Sequence, residues 1–303
     1  MPGQHTEKAF ETYVSEILQT NAGWSEGNKT DWDKYLAVFP SEIVAFLKDT
    51  QPKLWNEMFS LHGTTLETLL VTTLAKELDA KGMLHIVRYG FKFYGKTFQM
   101  AYFKPSHGLN EETLALYAKN RLTVTRQIPC HPKNNATVDL LFSINGLPIA
   151  TCELKNPSTG QTWRTAIEQY KEDREPSAPL FKFKTRSLVH FAADPDEVYM
   201  TTKLARKATR FLPLNRGSHP GEIQCGAGNP QHPSGYRTDY FWEEVLQRNS
   251  FLDLVGNFLF GRKEGREGPG QRWQRQTEDK RNPSFSPVSS AGFSAQIGPS
   301  LSN

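Results

Sequence analysis

The feature that most constrains this chain is a pair of apolar runs on either side of Asn145-Gly146, TVDLLFSI before it and LPIATCEL after it. Asn-Gly is a strong local signal for a hairpin turn, and the flanking runs are short and rich in Val, Ile, Phe and Thr. Residues 137–144 and 147–154 are therefore read as paired strands. Two charges stand inside these otherwise buried-looking runs, Asp139 and Glu153, and a third, Lys155, follows the second run directly. A buried charge without a partner or a metal is costly, so their placement argues for a function. On spacing alone, an acidic residue followed two places later by Lys is equally the pattern of a strand with one solvated face.

Around the hairpin the texture is mixed. An amphipathic helix is expected over 7–20, with Phe10, Val14, Ile17 and Leu18 on one stripe. Ser41 can cap a second helix carrying Ile43, Val44, Phe46 and Leu47. Thr65 to Ala80 makes a third, with Leu66, Leu69, Leu70, Leu74 and Leu78 buried and Gly82 ending it. Further strands are expected at 84–89, 97–103, 122–128, 187–193 and about 197–202, with a helix at about 162–174. This order implies an α/β fold, a mixed sheet with helices packed on it. Residues 236–260 suit an amphipathic helix or two. From Gly261 to Asn303 the chain is Gly, Pro, Ser, Arg and Gln, too poor in apolar residues to offset the entropy of ordering, and is expected to be disordered.

At 303 residues the chain can bury a substantial core. A formal charge of +4 permits an anionic partner without demanding one. Three scattered cysteines, Cys130, Cys152 and Cys225, make no disulfide framework and fit a reducing cytoplasm. Cys225 lies between His219 and His232, but the spacing matches no paired zinc-ligand pattern. No apolar run is long enough to span a membrane and the N-terminus lacks the marks of a signal peptide, so a soluble cytoplasmic protein is expected.

The three charges suit phosphodiester cleavage. That chemistry needs a divalent cation on the phosphoryl oxygen, an activated water and neutralisation of developing charge. Magnesium takes hard oxygen ligands, which Asp139, Glu153 and the Leu154 carbonyl can offer. Lys155 lies two residues after Glu153 and so shares its strand face. An ideal two-residue turn, however, would pair Asp139 with Cys152 and leave Glu153 on the opposite face. Bringing the carboxylates together requires a one-residue offset, such as a three-residue loop with a bulge at Gly146, and that offset is predicted.

VDLLFSINGLPIATCELKNP, followed by TAIEQYKEDR, resembles the N-terminal nuclease region of the R subunit of type I restriction enzymes, within the PD-(D/E)xK nuclease superfamily. The likeness runs collinearly over roughly residues 7 to 260, through NRLTVTRQI, LVHFAADPDEVYMTTKLA, FLPLNRG, CGAGNP and YFWEEVLQR. It implies a restriction-endonuclease-like fold and a magnesium-dependent endonuclease acting on double-stranded DNA. It gives Asp139 and Glu153 to the metal, Lys155 to catalysis, and Glu11 to the superfamily's auxiliary acidic position. It also implies partners, the methyltransferase and specificity subunits of a type I restriction complex. The family's Gln-x-x-x-Tyr motif is altered here: Gln169 is present, but Asp173 stands four residues later and Tyr170 follows directly. Lys171 and Arg174, about one turn apart, are candidate phosphate contacts.

GFKFYGKT at 90–97 satisfies the P-loop pattern letter for letter. Its variable positions are bulky and alternate like a hairpin, and TFQMAYF continues as strand where a P-loop opens a helix. Lys96 is thus not expected to bind ATP. The resembled subunits continue into an ATP-driven motor for which 303 residues leave no room. The chain is expected to be either a cutting domain or a truncated fragment that binds DNA or partners without cutting.

Overall fold

A computed structural model of the chain describes residues 7–104, 110–219 and 226–259. The chain divides into Met1–Gly256, which holds every element named below, and Asn257–Asn303. The tail at 261–303 and Cys225 lie outside the described residues.

Seven strands form one mixed sheet, in the spatial order β1 (Ser25–Glu26), β4 (Leu122–Pro129), β5 (Thr137–Ile144), β6 (Leu147–Leu154), β7 (Val189–Ala193), β8 (Val198–Thr201) and β9 (Leu212–Pro213). β1 runs parallel to β4 and β6 parallel to β7, while the other neighbours are antiparallel. A separate hairpin joins β2 (Phe91–Phe93) to β3 (Lys96–Phe98). The helices are α1 (Glu7–Thr20), α2 (Pro40–Thr50), α3 (Pro52–His62), α4 (Leu66–Lys81), α5 (Met83–Tyr89), α6 (Glu111–Ala118), α7 (Trp163–Glu172) and α8 (Arg248–Asp253). The result is the α/β, restriction-endonuclease-like mixed sheet flanked by helices that the sequence implied. α7 is the crossover that parallel pairing of β6 and β7 demands.

The central hairpin turns on Asn145 (φ 53°) and Gly146 (φ 82°), both left-handed, as a two-residue turn requires. Asn145 is fully buried: its Oδ1 accepts from the Arg121 N–H at 2.6 Å, and its amide donates to Met100 O and Asn120 Oδ1. A side chain at Gly146 would meet the Phe39 carbonyl at 2.8 Å and Ile43 Cγ1 at 2.7 Å, so glycine is required there twice over.

Several expectations are corrected. Residues 84–89, expected as a strand, lie in α5. Met83, Ile86 and Val87 are all buried at helical spacing, between Gly82 and Gly90, which both have positive φ. The strand expected at 97–103 ends at Phe98. Ser41 is inside α2 and does not cap it. The Asp31 carboxylate accepts from the N–H groups of Ser41 and Glu42 instead, reaching the helix end from a distant turn. Leu69 is exposed. Of 236–260, Phe241–Val245 is a π-helical turn and Arg248–Asp253 is α8.

One core cluster joins Phe39, Ile128, Val138, Leu141, Tyr170 and Phe181, and so packs α7 against β5, the strand that carries Asp139. No helix among the described residues is long and apolar enough to cross a membrane.

Candidate active site

The predicted register offset exists, at another place. Ile144 pairs with Leu147 and Ser143 with Pro148, as in an ideal hairpin, but Phe142 then pairs with Ala150 and Leu140 with Cys152. Ile149 is the extra residue, a β-bulge in β6 beside Pro148, whose missing N–H makes it a natural neighbour of broken pairing. No three-residue loop or bulge forms at Gly146. The shifted register carries Asp139 opposite Glu153, where an unbroken hairpin would have set it opposite Cys152.

The two carboxylates are anchored differently. Asp139 Oδ2 accepts the Leu154 N–H at 2.8 Å, and Oδ1 accepts from Gln127 Nε2 at 3.0 Å. Glu153 is fully buried; Arg174, beyond the end of α7, holds its Oε1 through Nε and Nη2, each at 2.7 Å. Arg174 Nη2 also donates to the Thr137 carbonyl. Glu153 Oε2 is buried with no hydrogen-bond partner. Burial first, and then the negative charge of Asp139, push the Glu153 carboxyl up to about 8, against the pull of Arg174 and Lys155. Burial also works against the Arg174 charge, but the carboxylate it grips more than offsets this and raises its pKa. Lys155 is buried and its Nζ donates to the Leu154 carbonyl at 2.9 Å.

These groups fit magnesium by their chemistry. A partnerless buried carboxylate oxygen on Glu153, the Asp139 carboxylate and the Leu154 carbonyl are hard donors, and waters would complete the set. Among the described residues no cluster of three or more His, Cys, Asp or Glu is placed to hold a metal.

Glu11 is drawn to this site. It is buried on α1, its Oε1 accepts from Arg126 Nε at 2.6 Å, and its Oε2 accepts from Gln127 Nε2 at 3.0 Å. Gln127 thereby touches both Glu11 and Asp139. Nothing in the sequence reading singled it out, although adjacent Arg126 and Gln127 are the polar break in the otherwise apolar-alternating LTVTRQIP.

Arg174, expected as a phosphate contact, is instead 3% exposed and committed to Glu153 and Thr137. Lys171 is half-buried on α7. Gln169 is half-buried on α7, while the Asp139 and Glu153 carboxylates are held by Gln127, the Leu154 N–H and Arg174. Asp173, the exposed C-cap of α7, does not replace the family tyrosine in the site. Tyr170 does the bracing: fully buried, its hydroxyl bonds Thr151 Oγ1 at 2.8 Å, two residues before Glu153. Thr151 Oγ1 also meets His190 Nδ1 at 2.8 Å. Burial holds His190 down to about 3, so its ring is neutral.

The P-loop look-alike is a hairpin. Tyr94 and Gly95 take positive φ between β2 and β3, Phe91 and Phe93 are buried, and Lys96 pairs with Glu57 at 2.8 Å. No backbone cradle for phosphate is formed.

A family model described as the type I restriction enzyme R protein N terminus matches residues 4–209. That range spans α1, the whole hairpin, α7 and the strands beside it. No relative among curated proteins matches the chain.

Proposed function

The chain belongs to the family of type I restriction enzyme R protein N-terminal regions, and from that premise we propose that it is a magnesium-dependent endonuclease domain hydrolysing DNA phosphodiesters. One observation carries the reading: Asp139 and Lys155, both buried, grip the N–H and the carbonyl of Leu154, and buried Glu153 beside them keeps one carboxylate oxygen without a hydrogen-bond partner. A buried carboxylate oxygen in that state costs free energy that a cation would offset.

In this reading Asp139, Glu153 and the Leu154 carbonyl hold the cation. Magnesium, when bound, supplies Lewis acidity to the phosphoryl group and neutralises charge in the transition state. The Leu154 N–H and Gln127 fix the rotamer of Asp139, and Arg174 fixes that of Glu153, so both ligands are pre-oriented. The Lys155 ammonium orients the attacking water and offsets charge on the leaving oxygen. Double-stranded DNA is the substrate. Sequence choice belongs to a specificity subunit and methylation to a methyltransferase subunit of a type I complex in the cytoplasm. No nucleotide is assigned to this chain.

A second reading is a domain that binds DNA or partner subunits without cutting. It draws on Arg174 and Lys155, which engage Glu153 Oε1 and the Leu154 carbonyl, two of the atoms a cation would need.

Supercoiled plasmid incubated with magnesium and the purified chain separates the two. Nicking should fall by on the order of a hundredfold or more in Asp139→Asn, Glu153→Ala and Lys155→Ala. Equal nicking by all four proteins, or by none, overturns the nuclease reading. Plasmid retention without nicking favours the second.

A further inference from the structure

Gln127 has a backbone that its residue type resists. It lies inside β4 with φ 52°, in the left-handed region that non-glycine residues occupy rarely and at a cost. The register around it is intact: Arg126 pairs with Leu140 and Ile128 with Val138, which leaves Gln127 facing Asp139 without a ladder pair. In a regular strand Arg126 and Gln127 would point to opposite faces. Here both reach the same carboxylate, Arg126 to Glu11 Oε1 and Gln127 to Glu11 Oε2. The kink is what permits this.

All the polar atoms of the Gln127 side chain are engaged. Nε2 donates to Glu11 Oε2 and to Asp139 Oδ1, each at 3.0 Å, and Oε1 accepts from Thr137 Oγ1 at 3.0 Å. The two carboxylates only accept, so they fix the amide with its NH2 end towards them and leave Oε1 to the Thr137 hydroxyl, which can donate. A single donor group thus sits between an acid from α1 and an acid from β5.

We propose that Gln127 is a positioning residue that ties Glu11 to Asp139 and makes the first helix part of the cation site. The proposal rests on the nuclease reading above. Without the amide, two carboxylates would face one another with nothing between them, and Asp139 would keep only the Leu154 N–H. Strain at a strand centre persists only where surrounding structure enforces it, and here that structure is the two acids.

The test uses Gln127→Gly, which keeps the left-handed backbone without strain and removes the side chain, and Gln127→Asn, which tolerates the same φ and keeps an amide but is one methylene too short to bridge. Calcium binding is followed by calorimetry without DNA, and plasmid nicking is followed across a magnesium titration. Both variants should bind calcium about 10- to 100-fold more weakly and need correspondingly more magnesium for half-maximal nicking, with the saturated rate largely recovered. Adding Glu11→Gln to Gln127→Gly should weaken binding little further, because the two act as one unit. Wild-type affinity in Gln127→Gly and Gln127→Asn, or losses that multiply independently in the double variant, overturns the proposal. Those outcomes leave the nuclease reading standing if wild type nicks and Asp139→Asn does not. A wild-type chain that neither binds calcium nor nicks sinks both.

Discussion

The Arg174 guanidinium lies 2.7 Å from Glu153 Oε1, with both side chains almost wholly removed from water. Removing one partner of a buried ion pair leaves an uncompensated charge and typically costs about 3–5 kcal/mol. Arg174→Ala should therefore lose up to roughly that much stability above pH 8, where the Glu153 carboxyl is ionised, read as a lowered urea midpoint. Glu153→Leu combined with Arg174→Met should recover most of the loss, because neither charge is then buried alone. An Arg174→Ala midpoint equal to wild type would mean that Arg174 is not holding Glu153.

Buried titratable groups give the stability a pH profile of predictable sign. His190 is held at about 3, below its ordinary 6.5, so the unfolded chain takes up a proton that the folded one refuses. Its contribution is present above about 6.5 and is lost as pH falls from 6.5 towards 3, at up to about 1.4 kcal/mol per pH unit. Glu153, raised from 4.5 to about 8, acts oppositely: its contribution is full below 4.5 and is lost as pH rises through 8. Glu42, raised mainly by burial to about 7, has the same sign as Glu153. Urea midpoints should therefore fall below pH 4.5, where His190 acts against little opposition, and His190→Gln should flatten that limb. An unchanged acid limb in His190→Gln would exclude the imidazole as its cause.

The Lys96 ammonium is exposed and paired with Glu57 across the surface. Such a pair contributes about 0–1 kcal/mol. Lys96→Ala should leave the urea midpoint within about 0.5 kcal/mol of wild type and leave nucleotide retention and plasmid nicking unchanged. Loss of nucleotide binding in this variant would restore the phosphate-loop reading.

How much of this was legible in the sequence depended on how local the signal was. The bounds of β5 and β6 followed from the Asn-Gly turn and from apolar runs that no other element would bury. The need for an offset was legible too, since side-chain alternation forbids Asp139 and Glu153 from sharing a face without one. Its position was not, because a bulge at Ile149 depends on how β6 settles against β7, and Pro148 was the only local hint. Residues 84–89 were misread because MLHIVRY is short enough for helix and strand periodicities to overlap, and burial against the core decided between them. Arg174 looked like a surface charge near a helix end. Only the fold brings it to Glu153, 21 residues away in the chain. Gln127 meets Glu11 across 116 residues, a separation that no spacing argument reaches.

The hairpin that carries both carboxylates can be tested at its turn. Gly146 and Gly95 occupy equivalent places in two tight turns, with φ of 82° and 79°. Alanine at either must adopt a left-handed backbone, which costs about 1–2 kcal/mol. Around Gly95 there is open space, so Gly95→Ala should cost that and little more. Around Gly146 an added Cβ would fall 2.7 Å from Ile43 Cγ1, 2.8 Å from the Phe39 carbonyl and 2.9 Å from the Ile43 nitrogen, two of which are backbone atoms of the segment opening α2. That segment is also hydrogen-bonded to the turn, since the Phe39 N–H donates to the Gly146 carbonyl at 3.0 Å. Relief must come from moving α2 or the turn, and overpacking of this kind adds about 1–3 kcal/mol. Gly146→Ala should therefore lie well below Gly95→Ala in urea midpoint. It should also impair plasmid nicking, because a displaced turn disturbs the strands on which Asp139 and Glu153 face each other. Equal midpoints for the two variants would show that the contact between the turn and α2 has room to spare.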